Sequence, residues 1–296
     1  MSPRAFVGTS GWRYPSWRGD FYPAGLRQRD ELAYLAGRLN TVELNGSFYS
    51  LQSPASYRRW HDETPPGFVF GVKGGRYLTH MLRLKGIDQA MANFFASGVL
   101  LLGDKLGPLL WQLPERLEFD AELLERFCAR LPTTFGQAAE IARGHDAKVK
   151  RVEIPSGKTA GQQGQRLLHA LEPRHPSFAD ARAADILRRH GIALVLADSA
   201  GRFPVFDEQT ADFVYARLHG GEELYTSGYD EASLRAWAAR MLRQARQGGA
   251  ERDIYVYFDN DAKGYAPHDA EAMASLLAAA GEHRVEPVDG TQSTTE

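Results

Sequence analysis

Eight short apolar runs alternate along most of the chain with segments whose apolar residues recur at three- and four-residue spacing. The runs are Ala5 to Gly8, Thr41 to Leu44, Phe68 to Val72, Leu109 to Leu113, Leu167 to Leu171, Ile192 to Ala197, Phe213 to Leu218 and Ile254 to Phe258. Between them, helical periodicity predicts Asp30 to Arg38, Ala55 to His61, Asp88 to Leu101, Ala121 to Leu131, Ala179 to His190, Asp230 to Gln247 and Asp269 to Ala280. Strand and helix in turn imply a parallel sheet. Eight such units in 296 residues fit a single TIM-type (β/α)8 barrel, an α/β fold, better than an open doubly wound sheet.

Helix punctuation agrees with this reading. Asp230 or Ser227 can cap the long helix bearing Leu234, Trp237, Met241 and Leu242, and Gly248-Gly249 ends it. The sixth unit is irregular, because Ser199 to Thr210 carries too much proline and glycine for a good helix. The barrel is expected over 4–281, followed by a disordered tail over 282–296. Thr133 to Gln165, long and polar with the basic run Lys148-Val-Lys-Arg151, reads as a peripheral excursion that a short link could replace.

Composition narrows the picture modestly. Apolar content of 43% and charged content of 24% are those of a globular protein, and a net charge of -2 argues against wholesale coating of nucleic acid or an anionic membrane. The single cysteine, Cys128, excludes an intrachain disulfide and reads as a packed helix thiol. No apolar stretch of signal-peptide or membrane-span length occurs, so a cytoplasmic location and no membrane partner are expected.

Polar residues gather where the apolar runs end. Strand one leads into Trp12; strand two carries Glu43 and Asn45; strand three ends at Lys73, with Arg76 and His80 beyond; strand four carries Gln112. Strand five gives Glu172, Arg174 and His175, strand six Asp198, strand seven Arg217 and His219, and strand eight Asp259, Asn260 and Asp261. In a barrel these ends converge on one mouth, where active sites of this architecture lie. Trp12, Tyr14, Trp17, Phe21, Tyr22, Phe48 and Tyr49 are either a packed lid or a wall on which a sugar or base stacks.

Sharp motifs are missing. Gly157-Lys158-Thr159 lacks the first glycine of a phosphate-binding loop, since position 152 is Val152; no His-Glu-x-x-His occurs, and no Ser/His/acid triad has local support.

Particular stretches carry a resemblance. Gly8-Thr-Ser-Gly-Trp-Arg-Tyr14, Trp17-Arg-Gly-Asp-Phe-Tyr-Pro23, Thr41-Val-Glu-Leu-Asn-Gly-Ser-Phe-Tyr49, Lys73, Tyr77-Leu-Thr-His80 and Leu110-Trp-Gln-Leu-Pro114 lead the set. Glu172-Pro-Arg-His-Pro-Ser177, Asp212-Phe-Val-Tyr-Ala-Arg-Leu-His-Gly220 and Tyr257-Phe-Asp-Asn260 complete it. With them the chain resembles the domain of unknown function 72 family, also called YecE-like, over nearly its whole length outside the excursion and tail. The resemblance implies a TIM-type barrel and brings no reaction with it. Asp259 stands where an Asn is expected, and Phe178 where a Trp is expected.

Three functional expectations follow. In the first, an enzyme (hydrolase, lyase or isomerase) acts on a small anionic ligand. Lys73, Arg174 and Arg217 hold the anion, Asn45, Gln112, Asn260 and Trp12 complete the binding site, and Glu43, Glu172, His175 and His219 supply acid and base. The second is a metal-dependent hydrolase or isomerase whose divalent cofactor is held by Glu43, Glu172, Asp198 and His219. The third is nucleic-acid binding or processing through Lys148, Lys150, Arg151 and Lys158.

Overall fold

Each apolar run is covered on both sides, one residue facing the barrel axis and the next facing helices, so it reads as nearly continuous rather than alternating. In the computed structural model, which describes residues 3–155 and 163–280, the runs become β1 (Ala5–Ser10), β2 (Thr41–Leu44), β3 (Val69–Lys73), β4 (Leu106–Gln112), β5 (His169–Glu172), β6 (Ala193–Leu194), β7 (Leu196–Asp198), β8 (Phe213–Leu218) and β9 (Asp253–Phe258). All pair in parallel, in the order β6-β5-β4-β3-β2-β1-β9-β8-β7.

The sixth run explains why nine strands make an eightfold barrel. It breaks at Val195 into β6, which pairs with β5, and β7, which pairs with β8. The two ends of the sheet are therefore consecutive pieces of one strand, and the barrel closes through them. The Val195 amide bridges the break by donating to Leu171 O at 2.9 Å. The other edge of β6 is sealed by Thr210, whose hydroxyl donates to Ile192 O and accepts from Leu194 N. No helix follows in 199–212, as the glycine and proline there anticipate.

The helices are α1 (Glu31–Ala36), α2 (Gly46–Tyr49), α3 (Pro54–Asp62), α4 (Asp88–Ala96), α5 (Ala121–Arg130), α6 (Phe135–Ala142), α7 (Ala181–His190), α8 (Glu231–Arg246) and α9 (Tyr265–Ala279). Asp230 caps α8 by accepting from Ser233 N at 2.7 Å; Ser227 instead holds its own loop by accepting from the Glu222 and Glu223 amides. The Asp88 run ends earlier than expected. Gly98, at φ +111°, breaks it where an added Cβ would lie 2.8 Å from Pro54 Cα, and a 3-10 turn over Val99–Lys105 follows. Conversely α9 begins before Asp269, which accepts from Tyr229 N and Asn260 Nδ2 rather than capping a helix.

Inside the barrel a separate core fills the lumen: Phe6, Leu110, Ala170, Ala193, Val195, Ala197, Phe213, Tyr215, Tyr255 and Tyr257. Phe6 stacks on Tyr255 at 4.7 Å. Gly71 is required there, since a Cβ would meet the Tyr257 hydroxyl at 2.7 Å. Toward the C-terminal strand ends the lumen turns polar, and this gradient sets where chemistry can occur.

The expectation of a peripheral excursion over 133–165 is corrected. Its first part folds into α6, opened by a Thr134–Gln137 capping box, and buries Phe135, Ala138 and Ala142 completely. Asn93 of α4 exchanges hydrogen bonds with Asp146, at 3.0 Å to its carboxylate and 2.9 Å from its amide. Sequence reading missed this because α6 is short and its apolar residues are mainly alanines. Lys148, Lys150 and Arg151 stand exposed beyond it, while Lys158, with Gly157 and Thr159, and the 282–296 tail lie outside the described residues. Cys128 is buried in α5, and burial pushes its thiol up to about 12.

Because Phe135 is wholly buried, Phe135→Ala is expected to cost about 3–5 kcal/mol of unfolding free energy. Urea denaturation read by circular dichroism checks it; a loss below about 1 kcal/mol would return the segment to the periphery.

Candidate functional site

At the C-terminal strand ends the two-residue period turns Ser10, Glu43, Gln112, Glu172 and Arg217 toward one another. Arg217 is fully buried and is the hub. Its Nε and Nη2 grip the two Glu43 oxygens at 3.1 and 2.8 Å, and Nη1 reaches Glu172 Oε2 at 2.9 Å. Nη2 also reaches Ser10 Oγ at 3.0 Å and Asp259 Oδ2 at 2.9 Å. Glu43 is saturated in return, since the Ser10 and Tyr215 hydroxyls each donate to it at 2.6 Å.

Glu172 is equally engaged. It accepts from Gln112 Nε2 at 2.9 and 3.0 Å and from Arg174 Nε at 3.1 Å. The Arg217 and Arg174 charges overcome burial and hold its carboxyl well below the ordinary range. Asp259 is drawn down to about 2, because Arg217 and His219 outweigh its burial. His219 completes the cluster, with Nδ1 3.0 Å from Asp259 Oδ2 and Nε2 3.3 Å from Arg217 Nη1.

Above this floor opens a cavity of about 430 Å³ lined by Asn45, Phe48, Tyr49, Lys73, Arg76, His80, Gln112, Arg174, Tyr225 and Asp259. Lys73 enters it from the end of β3, only 8% exposed, its amine 4.4 Å from the centre of the Phe48 ring. Among the described residues Lys73 and Arg76 donate no hydrogen bond and form no ion pair. Burial and the Arg217 charge lower the Lys73 amine to about 8, against the opposing pull of Glu43, Glu172 and Asp259. Arg174 lies over the Phe203 ring at 4.4 Å with part of its fork on Glu172. Tyr225, from the loop after β8, presses edge-on against His219 with a left-handed backbone at φ +66°, a strained conformation for a residue with a side chain.

Several expected roles change. Arg217 was expected to hold the ligand; no guanidinium hydrogen is left for one, and the residue instead fixes the carboxylates. Glu43 and Glu172, expected as acid and base, are locked carboxylates. His175 turns away from the mouth, Nδ1 2.8 Å from Ser177 Oγ at the head of a 3-10 turn. Asn260 is buried and donates to Ser227 O and Asp269. Trp12 packs edge-on against Trp60 and lines a neighbouring cleft instead. The proposed metal set does not assemble: Asp198 accepts from Tyr229 at 3.0 Å, and among the described residues no group of three or more His, Cys, Asp or Glu side chains is arranged to hold a metal ion.

Of the aromatic residues near the N-terminus, Trp17, Phe21 and Tyr22 are core, while Phe48 and Tyr49 reach the cavity. His80 and Tyr225 are cavity residues that strand-end reasoning gave no role, because His80 sits in a π-helical turn over Tyr77–Met81 and Tyr225 in the loop after β8. His80 stands edge-on to Phe48, and burial with Lys73 and Arg174 nearby lowers it to about 4. Asp259 is tied to Arg217 and His219, and Phe178 is buried with its ring 5.5 Å from Phe119.

A closed parallel barrel with a polar cluster at its C-terminal mouth defines a TIM-type α/β barrel protein. The chain belongs to the family described as "Protein of unknown function DUF72", whose model matches residues 6–293. It is 24% identical over 223 residues to the UPF0759 protein YecE of Escherichia coli O157:H7, covering 74% of this chain and 75% of the relative. With the UPF0759 protein YunF of Bacillus subtilis (strain 168) it shares 23% over 289 residues, 92% of this chain and 94% of the relative. A crystal structure of a DUF72 family protein from Thermotoga maritima MSB8 superposes with a TM-score of 0.72 at 26% identity, covering 93% of this chain and 99% of that one.

Two outcomes follow from the cluster. Arg217→Met leaves Glu43, Glu172 and Asp259 facing one another without their cation, so it is expected to cost about 3–5 kcal/mol; unchanged denaturant stability would remove Arg217 from the centre of the fold. Asp259 has a folded value below its unfolded one, so its stabilisation is complete above about pH 4 and is lost as pH falls toward about 2. Asp261 is the opposite case. Burial and the Asp259 charge raise it well above the ordinary range, so ionised conditions destabilise the fold and the effect vanishes once both states are protonated. Asp261→Asn should therefore melt higher than wild type at pH 7 and alike at about pH 3, below the unfolded carboxyl value; equal melting at pH 7 would refute this.

Proposed function

We propose that the mouth is the active site of an enzyme acting on a small anionic substrate, a phosphate or a carboxylate. The observation that carries this reading is the charge of the cavity wall. Lys73, Arg76 and Arg174 face it, Lys73 and Arg76 have no carboxylate partner among the described residues, and Asp259 is the acidic side chain lining the same space. A guanidinium or ammonium partly withdrawn from water needs a replacement partner, and an anion supplies one.

Arg76 and Arg174 stand at the rim and are suited to the anionic group. Asn45 and Gln112 offer uncharged polar contacts. Lys73 lies deeper and faces the remainder of the substrate. Glu172 and Asp259 stay ionised at neutral pH and cannot donate protons there, so Lys73 is the group facing the cavity whose proton is lost closest to neutrality. His219, beneath Tyr225, belongs to the floor. Lys148, Lys150 and Arg151 are absent from this lining; Lys148 lines the adjoining cleft, which shares Phe48, Tyr49 and Arg76 with the cavity.

Arg76 separates binding from folding, being exposed and, among the described residues, without a side-chain partner. Arg76→Ala is expected to weaken inorganic phosphate binding about tenfold, about 1.4 kcal/mol, and to shift unfolding free energy by no more than about 0.5 kcal/mol. Titration calorimetry and urea melts give both numbers. Equal phosphate affinity in wild type and variant, or no binding by wild type of phosphate or any of a panel of small carboxylates, would sink the reading.

A further inference from the structure

We propose that Lys73 is a covalent nucleophile, whose amine forms an imine with the carbonyl carbon of a small aldehyde or ketone carrying a phosphate or carboxylate held by Arg76 and Arg174. This deepens the anion site proposed above and rests on it.

A comparison within the molecule carries the argument. Among the described residues two lysines are buried, Lys73 and Lys105. Lys105 Nζ donates to His61 O at 2.5 Å, to Thr64 O at 2.6 Å and to Thr64 Oγ1 at 3.2 Å, so all three of its hydrogens are placed and it is a structural ammonium. Lys73 is buried to a similar degree, yet none of its hydrogens is placed among the described residues. Its amine sits against the face of Phe48 and opens on the cavity. A lysine left this way keeps its lone pair accessible once deprotonated, because no protein acceptor holds the charged form in place.

The surroundings control how often that happens. Arg217 from β8 lies below, with Glu43 from β2, Glu172 from β5 and Asp259 from the end of β9; Arg174, Arg76 and His80 complete the charged and titratable groups around it. Burial and Arg217 outweigh the carboxylates and bring the amine to about 8. At pH 7 roughly a tenth of such amines are neutral, against a few in ten thousand for an unperturbed lysine. The locked ion cluster serves this arrangement by keeping Glu43 and Glu172 bound to arginine, so neither captures the lysine.

The chemistry balances without a redox partner. The Nζ lone pair attacks the carbonyl carbon and the carbonyl π pair moves to oxygen. The nitrogen gives up a proton to solvent and the oxygen takes one, leaving a carbinolamine. Its hydroxyl then takes a second proton from solvent and departs as water while the C=N bond forms. At about 430 Å³ the cavity lies toward the small end of ligand sites, which suits a carbonyl compound of a few carbons with one anionic group.

The test is reductive trapping on the whole chain. Protein is incubated with glyoxylate, pyruvate or dihydroxyacetone phosphate in the presence of sodium cyanoborohydride, with dihydroxyacetone as the neutral control, and adducts are located by intact mass and peptide mapping. One adduct per chain is expected, on Lys73, with at least one anionic probe. It should form at least tenfold faster than on the other six lysines, slow on addition of inorganic phosphate, and rise in rate with a midpoint near pH 8. Lys73→Arg, folded by its melting curve, should lose the adduct and retain phosphate binding. Labelling spread evenly over the lysines, or Lys73 spared by every probe while phosphate binds by calorimetry, overturns the imine and leaves the anion site standing. Equal trapping of dihydroxyacetone and its phosphate, with no phosphate binding, overturns the anion site instead.

Discussion

A guanidinium deprived of water is the constraint around which the mouth is built. Arg217 is reached by Ser10 of β1, Glu43 of β2, Glu172 of β5 and Asp259 just after β9, while standing on β8 itself. Five strands must therefore reach the same height along the axis for its hydrogens to be placed. A slip of one residue in any of them would turn a partner toward the helices and leave a charge buried alone. The polar cluster thus fixes the register of the barrel at its mouth, as the close approach of Gly71 to the Tyr257 hydroxyl does within the lumen.

This demand also divides the mouth by depth. The carboxylates of Glu43, Glu172 and Asp259 at the floor are committed to arginine, so in the proposed function the ligand is met further out, by Lys73 and the residues that follow the strands. The side chains that look most catalytic by type, Glu43, Glu172 and His219, form the support. Those lining free space include Phe48, His80 and Tyr225, which lie beyond the strand ends.

The division explains what could be read from the sequence. Apolar runs ending in charged residues predicted the barrel, the ends that converge and the presence of Lys73, because strand periodicity and burial are local properties. Which of two nearby arginines is sealed and which is open was not legible. Arg174 and Arg217 both follow apolar strand residues, and only the three-dimensional positions of Glu43 and Asp259 distinguish them. His175 looked like a catalytic imidazole because its role in the following turn depends on Ser177 and on the backbone. Helix α6 was hidden for another reason: a short alanine-rich helix has little pattern, and its burial depends on α4, far away in sequence.

The split of the sixth strand bears on a different property, resistance to association. A barrel avoids exposed sheet edges only while it stays closed, and the closure of this one runs through pieces of two and three residues. Were that joint to open, β6 would present too short a ladder to template a strand from another molecule, and Thr210 already occupies its free side with one donor and one acceptor. The weakest seam of the cylinder is thus also a poor starting point for aggregation.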